Sequence, residues 1–269
     1  FCEGRMASAL SLRENWKKGK PVFGAWAALP SFFSAELLVA EGLGYVCVDQ
    51  QHGLIDYESA LPMFAGIEAR GCVALTRVPA NEAWMIGRSL DAGAQGVIVP
   101  MVETKAEAAR AVAACRYPPR GVRSYGPIRA ALVGRSRDTQ ALGDSPLCFV
   151  MVETRKGLDN IRDIVRTPGL DGIYVGPADL ALGLGLEPDL DKTEPEHVRA
   201  VQAILDACRE AGIVAGIQCS NGKSGREYAE RGFGLVTVAK DTALIQAGAR
   251  REASLANGSA MEQRPGGYT

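Results

Sequence analysis

Short apolar runs, separated by stretches with helical spacing, recur through most of the 269 residues. The runs are Val22–Ala28, Tyr45–Val48, Cys72–Leu75, Gly96–Val99, Leu147–Val152, Gly172–Val175, Val214–Ile217 and Leu235–Val238. None alternates apolar with polar, so each reads as a strand buried on both faces, as in a parallel sheet covered by helices. Between them lie helical segments: a lead-in helix at Met6–Gly19, then Ser31–Glu41 with Ser31 or Ser34 as N-cap, Tyr57–Arg70, Asn81 or Glu82 to Ala92, Thr104–Cys115 and Pro195–Ala211. Eight strand–helix repeats predict a single-domain (β/α)8 TIM barrel over residues 6–252 rather than an open doubly wound sheet. No GxGxxG follows the first strand, which weighs further against a dinucleotide fold. The remainder, 253–269, is polar and Gly-rich and reads as a mobile tail, and Phe1–Arg5 lies ahead of the expected barrel.

The stretch from Cys148 to Leu180 organises the chemistry. It reads as strand, helix with Ile161, Ile164 and Val165 on one face, and strand. Parallel strands joined by a helix bring their C-terminal ends side by side, so Glu153 and Asp179 stand at neighbouring strand ends. Two such carboxylates suit a hard divalent cation, Mg²⁺ or Mn²⁺. The competing reading makes Glu153 a helix cap and Asp179 part of an ordinary turn.

Barrel chemistry is built at the C-terminal strand ends. There the sequence puts Trp26, Asp49, Gln51, His52, Arg77, Glu103, Glu153, Asp179, Gln218 and Lys240. Asp49 precedes His52 by three residues, a spacing that lets the carboxylate bond one ring nitrogen and leave the other as a base. A structural His52 capping the next helix is the alternative. Arg77 ends a buried strand and needs an anion: Asp49, a metal-site carboxylate or a substrate oxygen. Gly176, Pro177 and Ala178, ahead of an expected short helix, offer backbone N–H donors to a carboxylate. Lys240, ending strand eight, is a weaker candidate for a Schiff base. The only other histidine, His197, falls in a polar helix and reads as a solvated surface residue.

Composition narrows the class. A formal net charge of −1 argues against nucleic acid or an anionic membrane as the main partner. No apolar run approaches the roughly 18 residues that span a bilayer. The seven cysteines form no CxxC or Cys/His cluster, so neither a zinc site nor a disulfide framework is indicated and a reducing cytoplasm is expected. Two intervals are long: Tyr117–Pro146, with Arg120, Arg123 and Arg129, and Gly183–Glu194. Loops of that length are functional or assembly-forming more often than idle.

GAWAALPS, VDQQHG, TRVP, GVIVPMVET, YPPRGVRSYGP, VMVET and VGPADLALGLG occur in one order across most of the chain. The ordered set resembles the HpcH/HpaI family of metal-dependent (class II) pyruvate aldolases, in the phosphoenolpyruvate/pyruvate-binding barrel superfamily. The resemblance implies a divalent cation (Mg²⁺, Mn²⁺ or Co²⁺) on Glu153 and Asp179. It implies His52 as base, paired with Asp49, and Arg77 stabilising the enolate oxygen. It also implies that Gly176, Pro177 and Ala178 hold the pyruvate carboxylate, and a homo-oligomer, commonly a hexamer of dimers that exchange the final helix; Trp26, at the mouth by its place on the first strand, is expected to line the substrate site. Three positions depart from the family pattern: Gln51 replaces a frequent Glu, Met151 a Gln, and VAKD replaces GSD at the last strand end. They bear on donor and acceptor choice more than on the core reaction. The expected activity is reversible retro-aldol cleavage of a 4-hydroxy-2-oxo acid to pyruvate and an aldehyde. The alternatives are a CoA-ester lyase of the same superfamily and a non-catalytic binding barrel.

Overall fold

A computed structural model describes residues 8–40 and 42–258. The first half of the chain runs α1 (Ala9–Lys17), β1 (Val22–Ala27), α2 (Phe32–Leu37), β2 (Tyr45–Asp49), α3 (Tyr57–Ala69), β3 (Val73–Arg77), α4 (Ala83–Asp91), β4 (Gly96–Val99) and α5 (Lys105–Cys115). An insertion with α6 (Ala130–Val133) and α7 (Thr139–Asp144) leads to β5 (Leu147–Met151), α8 (Arg155–Asp159), α9 (Ile161–Ile164) and β6 (Gly172–Val175). The chain closes with α10 (Pro177–Gly183), α11 (Pro195–Ala211), β7 (Val214–Gln218), α12 (Gly222–Arg231), β8 (Leu235–Lys240) and α13 (Asp241–Ala256). All eight strands are parallel and pair in sequence order, β8 returning to β1 to close the barrel. The expected (β/α)8 architecture is thus the observed one.

Two layers of side chains leave each strand. Val46, Val48, Ala74, Val97, Val99, Val150, Ile173 and Val236 face outward and pack under the helices. Alternate positions, among them Trp26, Tyr45, Cys47, Leu75, Ile98, Phe149, Met151 and Tyr174, form the interior cluster. Small residues make room there: a Cβ on Gly24 would come within 2.3 Å of the Tyr45 ring, and one on Gly172 within 2.4 Å of Phe149. Tyr45 and Tyr174 share the Thr237 hydroxyl at 2.7 and 2.6 Å, so the buried phenols are satisfied.

α1 plugs the N-terminal end of the barrel. Leu12 is buried, Trp16 meets Phe149 edge-on and donates to Gly234 O, and Arg13 bridges Asp171 and the carbonyls of Ser145 and Pro146. The segment 116–146 belongs to this same end, because it joins α5 to the start of β5. Its arginines bind scaffold carboxylates: Arg123 to Asp91, Arg129 to Glu68 and Arg120 to Asp144. The region expected as one helix before β6 is two, α8 and α9, divided at Asn160. The last helix continues to Ala256, inside the segment read as polar tail; the rest of that tail from residue 259, and Met6 and Ala7 of the lead-in helix, lie outside the described residues. Among the described residues no helix is long and apolar enough to cross a membrane.

Candidate active site

The inward parity of each strand, followed to its C-terminal end, delivers the mouth. On β1 it runs Gly24, Trp26; on β2 Tyr45, Cys47, Asp49; on β3 Val73, Leu75, Arg77; and on β5 Leu147, Phe149, Met151, then Glu153 two residues beyond the strand. Because β-strand side chains alternate with period two, these four polar or aromatic groups are projected into one space by the same geometry that fills the core.

Asp49 and Arg77 form the most ordered pair. Arg77 Nε and Nη2 lie 2.9 and 2.6 Å from the two Asp49 oxygens, a two-pronged bond between side chains that are both almost wholly buried. Trp26 Nε1 donates to the same carboxylate at 3.1 Å, and the Trp26 ring lies 5.2 Å from the guanidinium. Burial raises the Asp49 proton affinity, but the hydrogen bonds and charge of Arg77 outweigh it, with help from Trp26, and hold the carboxyl below its ordinary value. Of the anions considered for Arg77, Asp49 is therefore the one within its fork.

His52 corrects one expectation. Its bond to Asp49 runs from the backbone N–H, at 3.2 Å, and not from the ring; Gln51 N–H donates to the same oxygen at 3.1 Å. The carboxylate thus shapes the turn after β2, and its remaining capacity goes to Arg77 and Trp26. His52 itself is exposed at the mouth. Beside it, Gln51 Oε1 is buried with no partner among the described residues.

The carboxylate pair lies across the mouth. Glu153 is buried, and its Oε1 accepts the Met101 N–H at 2.8 Å. Met101 makes that bond from a left-handed conformation, φ 55°, which a non-glycine residue adopts only when its surroundings hold it there. Asp179 is half-buried in the first turn of α10. A Cβ built on Gly176 would sit 3.3 Å from Glu153 Oε2, 3.4 Å from Asp179 Oδ2 and 2.9 Å from Met151 Cε. Two carboxylate oxygens therefore converge on one small space that glycine keeps open. Burial, with the like charge of Asp179 adding to it, raises Glu153 from 4.5 to about 7; the Met101 amide and Arg77 act the other way but do not cancel it. No cluster of three or more His, Cys, Asp or Glu suited to a metal occurs among the described residues. Two hard oxygen donors do fit an ion that takes its other ligands from water and substrate, as Mg²⁺ commonly does.

α10 is tied to Glu153. Gly183 packs against the Glu153 carbonyl so closely that a Cβ would come within 2.6 Å of it, and Thr154 bridges to Gly183. Glu103, after β4 at this same end, accepts from Thr154 and Lys156 at 2.9 Å each on the rim. Lys240 precedes α13 and lies in register with Trp26. His197 is a second correction: it is 1% exposed, with Nε2 2.9 Å from Pro177 O. It belongs to the buried stripe His197, Ala200, Val201, Ile204, Leu205, Cys208. That i, i+3, i+4, i+7 spacing was the available signal, and the charged residues around it concealed it. Met101 was also missed; nothing in its sequence context announces a positive φ.

Fold and site together define a parallel (β/α)8 barrel with a carboxylate pair and an Arg–Asp pair at its C-terminal mouth, the place where such barrels carry out catalysis. Residues 23–247 match the HpcH/HpaI aldolase/citrate lyase family. The chain belongs to that family and is a carbon–carbon lyase. It is 38% identical over 240 residues to a hydroxypyruvate/pyruvate aldolase of Rhizorhabdus wittichii, covering 89% of this chain and 96% of that one. It is 36% identical over 240 residues to a 4-hydroxy-2-oxovalerate aldolase of Rhodococcus jostii, covering 87% and 91%. Among solved structures, an HpcH/HpaI aldolase/citrate lyase family protein from Burkholderia cenocepacia superposes with a TM-score of 0.85 at 33% identity, over 92% of this chain and 99% of that one.

Proposed function

We propose that the enzyme cleaves a 4-hydroxy-2-oxo acid reversibly to pyruvate and an aldehyde, using a divalent cation held by Glu153 and Asp179. The observation that carries the reading is the convergence of Glu153 Oε2 and Asp179 Oδ2 around Gly176, at the catalytic end of a barrel of this family. The relatives named as hydroxypyruvate/pyruvate and 4-hydroxy-2-oxovalerate aldolases support a short 2-oxo acid donor. When bound, the cation supplies Lewis acidity toward the 2-oxo acid oxygens.

The chain's own groups account for the rest. We assign the substrate carboxylate to the Ala178 and Asp179 N–H groups: Pro177 has no N–H, Leu180 N–H donates to Gly176 O, and no side chain caps this turn. His52 takes the 4-hydroxyl proton as the C3–C4 bond breaks, the aldehyde leaves, and the electron pair passes to the C2 oxygen of the pyruvate enolate. Arg77, locked in place by Asp49, offers fixed positive charge to that oxygen without having to reorganise. Protonation at C3, balanced by release of the proton His52 took up, gives pyruvate and restores the base. Trp26 closes the floor beside Arg77 and excludes water.

We further propose that the protein works as a homo-oligomer joined through α13. After Asp241 that helix is exposed along almost all its length, Leu244, Ile245 and Leu255 included, and its own barrel offers those side chains no cover. The buried free cysteines of the barrel support a reducing, cytoplasmic location.

The test is pyruvate release from a panel of 4-hydroxy-2-oxo acids, with EDTA and after restoring Mg²⁺, Mn²⁺ or Co²⁺. Metal-restored release is expected. Release indifferent to EDTA, or turnover of CoA esters alone, would overturn the reading.

A further inference from the structure

His197 lies outside the ring of mouth residues, yet it is one of the few polar side chains that is fully buried. Its Nε2 is 2.9 Å from the carbonyl oxygen of Pro177. A carbonyl only accepts, so the ring is held as the Nε2–H tautomer and donates. Burial lowers its proton affinity, with Lys192 adding to the effect; the Pro177 carbonyl and Glu194 oppose it.

Pro177 opens α10, the seven-residue helix that carries Asp179 in its first turn. A helix so short does not hold itself together in water, and no side chain caps this one. β6 runs straight into it and Leu180 anchors it in the core, while two further contacts grip its ends. At the C-terminal end, Gly183 is seated on the Glu153 carbonyl and paired with Thr154. At the N-terminal end, the grip is the His197 ring, delivered by α11 from the outer helical layer. The distance between the two carboxylates depends on both grips, because Glu153 moves with β5 and Asp179 with α10.

We propose that His197 is a positioning residue: by clamping the Pro177 carbonyl it fixes the Gly176–Asp179 turn, and with it the reach of Asp179 and the direction of the first-turn amides. The link to metal and substrate rests on the proposed function; the clamp itself does not. Outer groups that orient metal ligands commonly matter 10- to 100-fold in affinity.

The test uses the full chain and two variants. His197→Gln keeps an amide N–H that reaches the place of ring Nε2, while His197→Met fills similar volume with no donor. Three quantities are read: hydrogen exchange of the segment 176–183 in metal-free protein, Mn²⁺ affinity by calorimetry, and melting temperature. For His197→Met the exchange of that segment is expected to accelerate at least tenfold and Mn²⁺ binding to weaken roughly tenfold or more. His197→Gln should restore both to within about threefold of the parent, a rescue that tracks the donor rather than the volume. Unchanged exchange and affinity in His197→Met would overturn the proposal. So would equal losses in both variants alongside equal falls in melting temperature, which would make His197 a packing residue only. If the Met variant does not fold, His197→Asn, too short to reach Pro177, replaces it with the same criteria. A parent enzyme that fails to bind Mn²⁺ overturns the metal reading instead, and the exchange measurement still judges the clamp.

Discussion

Replacing Glu153 by Gln should stabilise the metal-free protein while destroying its metal site. The Glu153 carboxyl is buried, faces Asp179, and has its proton affinity raised from 4.5 to about 7. A carboxyl that binds protons more tightly folded than unfolded adds stability at low pH, and that stability is lost as pH rises from about 4.5 through about 7. At about 1.4 kcal/mol per tenfold change in proton affinity, the burden at pH 8 is roughly 3 kcal/mol. Gln removes it, keeps an acceptor for the Met101 N–H, and turns an amide donor toward Asp179 Oδ2. For a protein of this size, roughly 3 kcal/mol corresponds to about 6–12 °C in melting temperature. The assay is calorimetry in EDTA at pH 8 and pH 5, with isothermal titration of Mn²⁺ at pH 8. Glu153→Gln should melt higher than the parent at pH 8, converge with it at pH 5 where Glu153 is protonated, and bind Mn²⁺ at least 100-fold more weakly. A variant less stable than the parent at pH 8 would refute the argument, because Glu153 would then be stabilised rather than strained. So would an advantage that is the same at both pH values.

Three further outcomes are expected. Gly176→Ala, whose Cβ would stand 2.9 Å from Met151 Cε and within 3.4 Å of both carboxylates, should fold but weaken Mn²⁺ binding tenfold or more; titration matching the parent would remove the cradle. His52→Ala should lower kcat by roughly 10²–10⁴-fold, as loss of a general base does, while leaving Mn²⁺ and pyruvate affinity within a few-fold. Loss of metal binding in that variant would make His52 a ligand. Sedimentation velocity at micromolar concentration should show an oligomer, and Leu244→Asp with Ile245→Asp, both on the uncovered face of α13, should shift it toward monomer; a parent that sediments as a monomer ends the assembly proposal.

How much of this was legible in the sequence follows from the reach of each signal. Continuous apolar runs of four to seven residues recur at helix-plus-strand intervals, and that alone requires parallel strands under helices; the observed strands begin at the expected places, within one residue at β3. Period two then carries Trp26, Asp49, Arg77 and Glu153 inward, because each shares parity with the core residues before it. The family resemblance drew on those same strand ends. α11 is legible with both its ends, but the charged residues around His197 mask its place on the buried stripe.

What local periodicity does not reach is the choice among partners. Asp49 has His52 three residues away and Arg77 twenty-eight away in sequence; the ring lost and the guanidinium won. Barrel closure sets β3 beside β2 with Asp49 opposite Arg77, and a two-pronged charged bond in a buried space outcompetes an exposed imidazole. The left-handed Met101, the amide it turns to Glu153, and the single gap that Glu153 and Asp179 share around Gly176 are likewise products of closure. Their separations are set by strand tilt and by how α10 is gripped, quantities that exist only once all eight strands are in place.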